Sequence, residues 1–436
     1  MSFSKVHILH PTAPPPAAYL RVGYTGHRKL EALHAANRLR FQRLVFDAAY
    51  ARTQGDFLRL MKAAGLEIVL DLNVAETAAL GRYSSAVSRL PWGSPDRPWS
   101  PSDFGPGRNN DLCKRMAEFV VQIGADAVLA PTHAVGVDDW HAHDLASTER
   151  LRAELDRAGG EDIAIDYALI IQARDLRDAS RRAAAVEGVA DLPVQNVWLR
   201  VSGFGATATG ARSRYVIEAA RQLHGLGRPL VIDMAGGFAG LSALSFGAVG
   251  GISHGVGQKE NFDLGPWSKP PVEPQGRGSK ARIYLAELDR YLTEGQAQVF
   301  FAARGTKSRF GCNDALCCPN GIEDMAENGH AHFITQRSRQ LEQLARVPEG
   351  RRAEHFLLHQ LDPAIRSARL VARAKFADRA VQKLVDDAKS RLTRLRDAMG
   401  ALHESDAGSV IHCRAPAFRG GAAGRRGTVA VMGGAP

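Results

Sequence analysis

The segment RPLVIDMAGGFAGLSALSFGAVGGISHGVG, residues 228–257, contains two short apolar runs, 228–237 and 248–257. Gly and Pro bound these runs, and such runs are typical of strands buried on both faces of a parallel sheet. A polar residue follows the apolar part of each run, Asp233 in the first and His254 in the second. The segment therefore predicts two consecutive strands that each end in a polar side chain.

Similar runs occur throughout the first three quarters of the chain. They lie at residues 43–50, 66–74, 125–133, 162–171, 196–205 and 297–305. Helix-like segments separate most of them, and several end at glycine, which favours the conformation found just past a helix. Eight strands alternating with helices over roughly 260 residues predict an α/β fold, a (β/α)8 TIM-type barrel. A doubly wound open sheet is the alternative, although no GxGxxG follows the first run, which disfavours its dinucleotide-binding form.

Composition divides the sequence into four parts. Residues 1–42 have a Pro-rich start and a basic, helix-like stretch, and residues 43–332 hold the predicted barrel with a Cys/His cluster at its end. Residues 333–402 have a wholly helical pattern and form the predicted C-terminal helical extension. Residues 403–436 are rich in Gly, Ala and Arg, a composition that predicts a disordered tail.

The overall composition is that of an ordinary globular enzyme, with 436 residues, 45% hydrophobic and 23% charged. No run of 18 apolar residues occurs, so no membrane span is expected. The N-terminus lacks the apolar core of a secretory signal and there are only five cysteines, so a cytoplasmic location is expected. The net charge of +10 permits an anionic partner such as nucleic acid or a phosphorylated metabolite. The oligomeric state is not indicated.

Polar side chains follow the predicted strands, at the face where a barrel enzyme carries its catalytic groups. They are Asp47, Asp71, Asn73, Glu76, His133, Asp166, Arg200, Ser202, Asp233, His254 and Glu260. Asp233 is the leading candidate for base or nucleophile, with Asp71 or Asp47 as its acid/base partner. Arg200 on a neighbouring strand would keep Asp233 ionised. His133 and His254 are further catalytic candidates, and the alternative for every one of these residues is a loop-ordering role.

Paired glycines occur in both runs of the opening segment. Gly236 and Gly237 follow the first strand, and Gly250 and Gly251 belong to the second run. Such pairs allow backbone N–H groups to approach a phosphate or a closely packed base, so these glycines, with Arg200 and Glu260, are substrate-binding candidates. Alternatively, they only make tight turns.

Three of the five cysteines lie in CNDALCCPNGIEDMAENGHAH, residues 312–332. Cys312, Cys317 and Cys318 are followed by His330 and His332, and three thiolates with one imidazole form a common structural zinc site. The spacing matches neither of the usual paired-cysteine zinc patterns. The alternative is a buried loop that uses cysteine as a small apolar residue.

The barrel, the late paired glycines, the cysteine cluster past the last strand, the histidine and the helical extension together resemble the tRNA-guanine transglycosylase superfamily. The resemblance covers most of residues 40–400 in architecture. It implies a structural zinc held by Cys312, Cys317, Cys318 and either His330 or His332. The family's Asp-Ser-Gly-Gly-Phe-Gln motif is absent, so its catalytic aspartates are not assigned to positions here.

Three functions follow as hypotheses. The first is an enzyme of base exchange or another glycosyl-type transfer on nucleic acid or a nucleoside, in which Asp233 attacks or stabilises an oxocarbenium-like sugar centre. The second is a barrel enzyme acting on a small phosphorylated metabolite. The third is a non-catalytic nucleic-acid-binding protein. Trp92, Trp99 and Trp267 lie among cations in the long loops 81–110 and 258–282, an arrangement that suits base stacking and phosphate contacts.

Overall fold

Eight parallel strands close into a barrel in the computed structural model, which describes residues 15–103, 106–136, 139–257, 259–270, 282–407 and 409–421. The strands are β1 Ala17–Arg21, β2 Arg43–Asp47, β3 Glu67–Asp71, β4 Ala127–Leu129, β5 Ala164–Gln172, β6 Val197–Ser202, β7 Leu230–Ile232 and β8 Gly251–His254. Each strand pairs with the next, and β1 pairs with β8, where Tyr19 lies opposite Ser253. The predicted (β/α)8 fold is confirmed, and the open-sheet alternative is excluded.

The barrel begins earlier in the chain than the sequence predicts. Its first strand, AAYLR at 17–21, lies inside the part that was assigned to an N-terminal basic segment. This strand has only five residues and adjoins the Pro-rich start, so it resembles a linker in sequence. The run 297–305, predicted as the eighth strand, is instead mostly the helix Glu294–Ala302. Thr293 and Gln296 form a capping box there, and this start signal fixes a helix rather than a strand.

Helices surround the barrel and follow it. Up to β8 they are His27–Ala35, Ala48–Ala51, Gly55–Ala63, Val74–Thr77, Ser85–Ser88, Pro106–Ile123, His141–Arg157, Ala173–Arg177, Ala179–Val186, Gly210–Gln222 and Gly237–Ser245. After β8 they are Glu294–Ala302, Thr306–Phe310, Ile322–Glu327, Gly329–Ala345, Arg352–His355, the π-helical turn Phe356–Leu361, Asp362–Val371 and Arg379–Ser405. No helix within the described residues is long and apolar enough to cross a membrane.

Short elements complete the architecture. Single 3-10 turns are Pro101–Asp103, Val189–Asp191, Leu223–Leu226, Gly265–Ser268 and Glu349–Arg351. The short strands Phe204–Gly205 and Asn261–Phe262 pair above the barrel, and Arg282–Leu285 pairs with Arg290–Thr293 as a hairpin. This hairpin packs on the helix 329–345, which also contacts the helix 27–35.

The interior of the barrel follows the two-residue period of its strands. Tyr19, Val45, Val69, Trp198 and Val231 fill its centre. The residues two positions further along these strands are Arg21, Asp47, Asp71, Arg200 and Asp233. Because successive side chains of a strand point to opposite faces, these five also point inward, one layer nearer the carboxyl ends. The alternation of the strands thus places a charged layer at the barrel mouth.

The opposite end of the barrel is closed by the segment 409–421. Arg419 donates to both carboxylate oxygens of Asp166, at 2.9 Å each, and its Nε donates to Oε1 of Glu67 at 2.9 Å. The predicted disorder of residues 403–436 is therefore not found in this part, because buried carboxylates hold it. Residues 422–436 lie outside the described part. Asp166, expected at the mouth, lies at this end because it is only the third residue of the nine-residue strand β5.

Candidate active site and metal centre

Arg21 is the centre of the charged layer at the mouth. Its Nε and Nη2 donate to the two oxygens of Asp233 at 2.8 and 2.7 Å, and its Nη1 donates to Asp71 Oδ2 at 3.0 Å. Two parallel bonds between a guanidinium and a carboxylate fix both groups in position. The side chains of Arg21 and Asp233 are fully buried, so this pair forms a rigid floor beneath the mouth.

Arg200 joins the same two aspartates from β6. Its Nε donates to Asp233 Oδ2 at 2.9 Å and its Nη2 to Asp71 Oδ2 at 2.8 Å. The predicted contact between Arg200 and Asp233 is confirmed. Burial alone would raise the pKa of Asp233, but Arg21 and Arg200 outweigh it and lower that pKa to about 2. The same two cations hold the pKa of Asp71 below its usual range, so both aspartates are charged at neutral pH.

Backbone N–H groups complete the binding of these aspartates. Met234 N donates to Asp233 Oδ1 at 2.9 Å, and Asn73 N donates to Asp71 Oδ1 at 3.1 Å. Met234 and Asn73 both have positive φ values, 54° and 56°. Non-glycine residues adopt this conformation at a cost, and such strain is concentrated at functional sites. The chain therefore bends at both strand ends to saturate the two carboxylates.

A cavity of about 630 Å3 lies above this floor, between the loops that follow β1, β2, β3 and β8. Asp47 lines it and forms ion pairs with Lys259 and with Arg21, the latter at 3.4 Å. Glu76 also lines it, and its Oε2 has no hydrogen-bond partner among the described residues. Burial and the charge of Asp71 raise the pKa of Glu76. The cavity thus presents one ion-paired carboxylate and one carboxyl group whose pKa is raised.

The rim of this cavity is aromatic and basic. Tyr24 is 66% exposed, and its ring lies 4.9 Å from that of Tyr50. Lys29, Arg82 and His330 line the same cavity. Sequence reasoning missed Arg21, Tyr24 and Lys29 because it placed residues 1–42 outside the barrel. The signal that would have found Arg21 is an arginine that ends a short apolar run, and Arg200 similarly follows the apolar residues of its own strand.

The two candidate catalytic histidines do not join the Arg21 layer. His133 Nδ1 lies 2.6 Å from Asp144 Oδ1, and its ring stacks on Trp140 at 3.7 Å. His133 therefore matches the alternative interpretation, a loop histidine that is paired with a carboxylate. His254 alternates with Ser253 and faces outward, between the rings of Phe41 and Phe333.

His254 is thereby kept neutral and away from the mouth cavity. Burial and the charge of Arg337 lower the pKa of His254 to about 3, and its Nδ1 contacts Gly255 O at 2.9 Å. Its position follows from strand periodicity, because a one-residue step along β8 exchanges the inner for the outer face.

The first glycine pair, Gly236 and Gly237, packs against carboxylates of the chain itself. Gly237 has a φ of 65°, and an added Cβ there would meet Asp289 Oδ2 at 2.6 Å. Phe238 N donates to that same oxygen at 2.9 Å. Gly236 packs in the same way against Glu260. Glu260 accepts a hydrogen bond from the Tyr291 hydroxyl at 2.6 Å, and burial raises the pKa of Glu260 to about 7. The carboxylates of Asp289 and Glu260 therefore occupy the position where a substrate phosphate was expected.

Gly250 and Gly251 lie at the other end of the barrel. Gly251 begins β8, and an added Cβ on Gly251 would meet Ala17, the first residue of β1. Gly250 packs against the backbone of Arg414 in the segment 409–421. The expectation that they share the mouth with Asp233 is not met, because they precede their strand rather than follow it.

The cysteine cluster does converge. Ligand atoms of Cys312, Cys317, Cys318 and His332 all lie within 4.8 Å of one another. His332 Nδ1 lies 3.5 Å from the sulfur of Cys317 and 3.4 Å from that of Cys318. The two adjacent cysteines share a site because the amides of both donate to Asp314 O, in a tight turn.

The geometry also distinguishes the two histidines of this region. His332 Nε2 lies 3.1 Å from Tyr284 O, so a proton on Nε2 leaves Nδ1 free to bind a metal. His330 instead contacts Lys29 at the mouth cavity, with 2.7 Å between its Nδ1 and Nζ. The set Cys312, Cys317, Cys318 and His332 can hold a metal ion.

Comparisons with known proteins give similarity of fold alone. No protein-family profile matches the chain, and no curated protein matches it. A similar solved structure is Penicillium canescens endo-1,4-beta-xylanase XylE, with 10% identity, 55% of this chain and 81% of that chain covered, and a TM-score of 0.38.

Two further structures have comparable similarity. A GH26 beta-mannanase from Bacteroides ovatus has 10% identity, 58% and 86% coverage and a TM-score of 0.36. KGPDC from Streptococcus mutans has 11% identity, 58% and 94% coverage and a TM-score of 0.33. None of these three is titled a tRNA-guanine transglycosylase. The closed barrel of parallel strands supports the TIM-barrel part of the resemblance.

Proposed function

We propose that this chain is a glycosyl-transfer enzyme that exchanges or removes the base of a nucleoside-type substrate in the mouth cavity. The observation that carries the proposal is the pair of carboxyl groups on that cavity, Glu76 and Asp47. Their environments differ in the way that acid and nucleophile require. Burial and the charge of Asp71 raise the pKa of Glu76, whereas Asp47 is bound to the cations Lys259 and Arg21.

Each carboxyl group has a defined role in this proposal. Glu76 donates its proton to the leaving base as the bond between base and sugar breaks, and that electron pair passes to the base. The sugar carbon bonds to an oxygen of Asp47 or is stabilised by it as an oxocarbenium-like centre. An incoming base or water then gives a proton back to Glu76, attacks the sugar carbon and displaces Asp47.

Asp233 supports this chemistry in a different way from the sequence hypothesis. Both of its oxygens accept hydrogen bonds from Arg21, and one also accepts from Arg200. Its side chain is fully buried, whereas Asp47 lines the cavity. We therefore assign attack to Asp47 and assign Asp233 the role of holding Arg21 in place. Attack by Asp233 remains a prediction that the variants below test.

The exposed Tyr24 supports a substrate with a planar ring. Its ring lies beside that of Tyr50 at the rim, and base–aromatic stacking contributes about 1–3 kcal/mol per base. A sugar or base resting on Tyr24 would place its reacting carbon towards Glu76 and Asp47, which line the same cavity.

We also infer that the four-residue metal centre holds zinc in a structural role. Three thiolates and one imidazole fill all four positions of a tetrahedral site, which leaves no open position for substrate. Tyr284 O fixes the ring of His332, as outer partners of metal-binding histidines do. The ion would join the loop 311–321 and the helix 329–345 to the hairpin that contains Tyr284.

The test is a labelled-base exchange and release assay with free nucleosides, tRNA and DNA. Glu76→Gln and Asp47→Asn should each lower kcat by about 10²–10⁴-fold with little change in Tm, because each removes a proton donor or a charge and keeps the shape. Asp397→Asn, an exposed carboxylate on the helix 379–405, is the matched control. Full activity in Glu76→Gln, or activity abolished by Asp233→Asn but kept in Asp47→Asn, would contradict the assignment. Absence of exchange and release with every substrate would reject the proposed function.

A further inference from the structure

The cations around the mouth cavity fall into two groups. Those at the floor are paired, since Arg21 and Arg200 bind Asp233 and Lys259 binds Asp47. Those at the rim are Lys29 and Arg82, which have no carboxylate within 4.0 Å in the described part of the chain. Both are exposed and both line the cavity. The rim therefore carries two cations without an ion-pair partner among the described residues.

Lys29 and His330 form one side of this rim. The two residues come from distant parts of the sequence, the helices 27–35 and 329–345, and their nitrogen atoms lie 2.7 Å apart. The Lys29 ammonium also lies 3.3 Å from the second ring nitrogen, and an ammonium that donates to an imidazole retains further donors. Such a group of donors without an acidic partner suits an oxyanion with several acceptor atoms.

The contacts of the Cys/His cluster fix the position of His330. His332, two residues further along the same helix, is bound by the thiols and by Tyr284 O. Gly329 packs closely on Arg282 O, where an added Cβ would lie 2.7 Å away. Contacts of Gly329 and His332 thus fix the first turn of this helix, and His330 in that turn lines the cavity.

We infer that Lys29, Arg82 and His330 bind a phosphate group of the substrate at the rim. The inference rests on the proposed function, because it places the base on Tyr24, the reacting sugar carbon at Glu76 and Asp47, and the phosphate beyond them. The substrate class is therefore a phosphorylated nucleoside. Its phosphate is either the monoester of a free nucleotide or the diester of a nucleic acid, which present the same oxyanion.

The direct test is the binding of inorganic phosphate to the full chain, followed by 31P line broadening. Lys29→Met and Arg82→Met should each weaken phosphate binding by about five- to tenfold, because each removes a charge-assisted hydrogen bond. His330→Ala should weaken it less, because an uncharged imidazole is lost. Lys383→Met, which removes an exposed lysine from the helix 379–405, should leave binding unchanged.

Competition identifies the source of the phosphate. A nucleoside 5′-monophosphate, a short oligonucleotide and the unphosphorylated nucleoside compete against inorganic phosphate, and only the first two should displace it. Stronger displacement by the monophosphate identifies a monoester, and stronger displacement by the oligonucleotide identifies a diester. Unchanged phosphate binding in the Lys29→Met, Arg82→Met double variant would overturn the inference, as would no binding to the wild type. This readout requires no turnover, so its failure is separable from failure of the exchange assay.

Discussion

The two ends of the barrel use the same chemistry for different purposes. At each end a central arginine binds buried carboxylates: Arg21 binds Asp233, Asp71 and Asp47 at the mouth, and Arg419 binds Asp166 and Glu67 at the opposite end. The mouth cluster lies beneath a cavity, whereas the opposite cluster is covered by the segment that carries Arg419.

The difference between the ends identifies the site better than charge alone does. A buried ion cluster by itself indicates only that charges have been compensated. At the mouth, two carboxyl groups, Asp47 and Glu76, remain next to open space after that compensation. At the opposite end, Asn196 and Trp198 donate to Asp166 in addition to Arg419, so its oxygens are saturated. We therefore expect the functional site at the mouth, where carboxyl groups remain next to an open cavity.

Metal removal should separate the two ends most strongly, because the proposed metal centre adjoins the mouth cavity through His330. Zinc binding contributes about 10–16 kcal/mol in zinc-finger peptides, so chelation should release the helix 329–345 locally. Hydrogen–deuterium exchange should rise sharply in 311–345 and stay unchanged in 409–421. Metal analysis should give about one zinc per chain, lost in Cys318→Ser and kept in Cys413→Ser. Equal exchange with and without chelator would show that the thiols act only as apolar residues.

Arg21→Met tests the cluster at the mouth. It leaves Asp233 and Asp71 buried with Arg200 as their remaining cation, and breaking a buried ion pair in this way costs about 3–5 kcal/mol. The urea midpoint should fall accordingly, whereas Arg28→Met, an exposed neighbour, should keep it. A variant as stable as the wild type would mean that the cluster does not support the fold.

Arg419→Met is the corresponding change at the opposite end, and its effect should be smaller, about 2–3 kcal/mol. Glu67 keeps Arg43 at 3.4 Å, and Asp166 keeps its two neutral donors. Turnover per folded molecule should be unchanged, because no residue of this end lines the mouth cavity. Arg414→Met, in the same segment, is the control. A loss of kcat without a loss of stability would show that the two ends are coupled.

Acid should weaken the mouth through Asp233. Its pKa is lowered from 3.8 to about 2, so its contribution is complete above pH 4 and is lost as pH falls towards 2. The lost contribution is about 2 kcal/mol. The free energy of unfolding, measured from pH 6 to pH 2, should therefore fall less in Asp233→Asn than in the wild type, and Asp397→Asn should follow the wild type. Identical curves for wild type and Asp233→Asn would contradict the lowered pKa.

Most of the barrel could be predicted because strands that are buried on both faces appear in the sequence as short apolar runs. Seven of the eight strands, β2 to β8, coincide with runs recognised from the sequence. Asp47 and Asp71 end their strands, and Asp233 directly follows its strand. The strand prediction failed where an apolar run was short or was also compatible with a helix. β1 has five residues beside a Pro-rich segment, and the run 297–305 follows a helix start signal.

The sequence by itself determined the alternation of strands and helices, the charged strand ends and the grouping of three thiols with two histidines. Only the tertiary structure decided which of these groups meet. It joined Arg21 to Asp233 across 212 positions, separated His332 from His330, and placed Asp166 and Arg419 at the closed end. The physical reason is that periodicity fixes which face a side chain takes within its own strand. Closure of the barrel then decides which strands become neighbours and which buried charges find a partner.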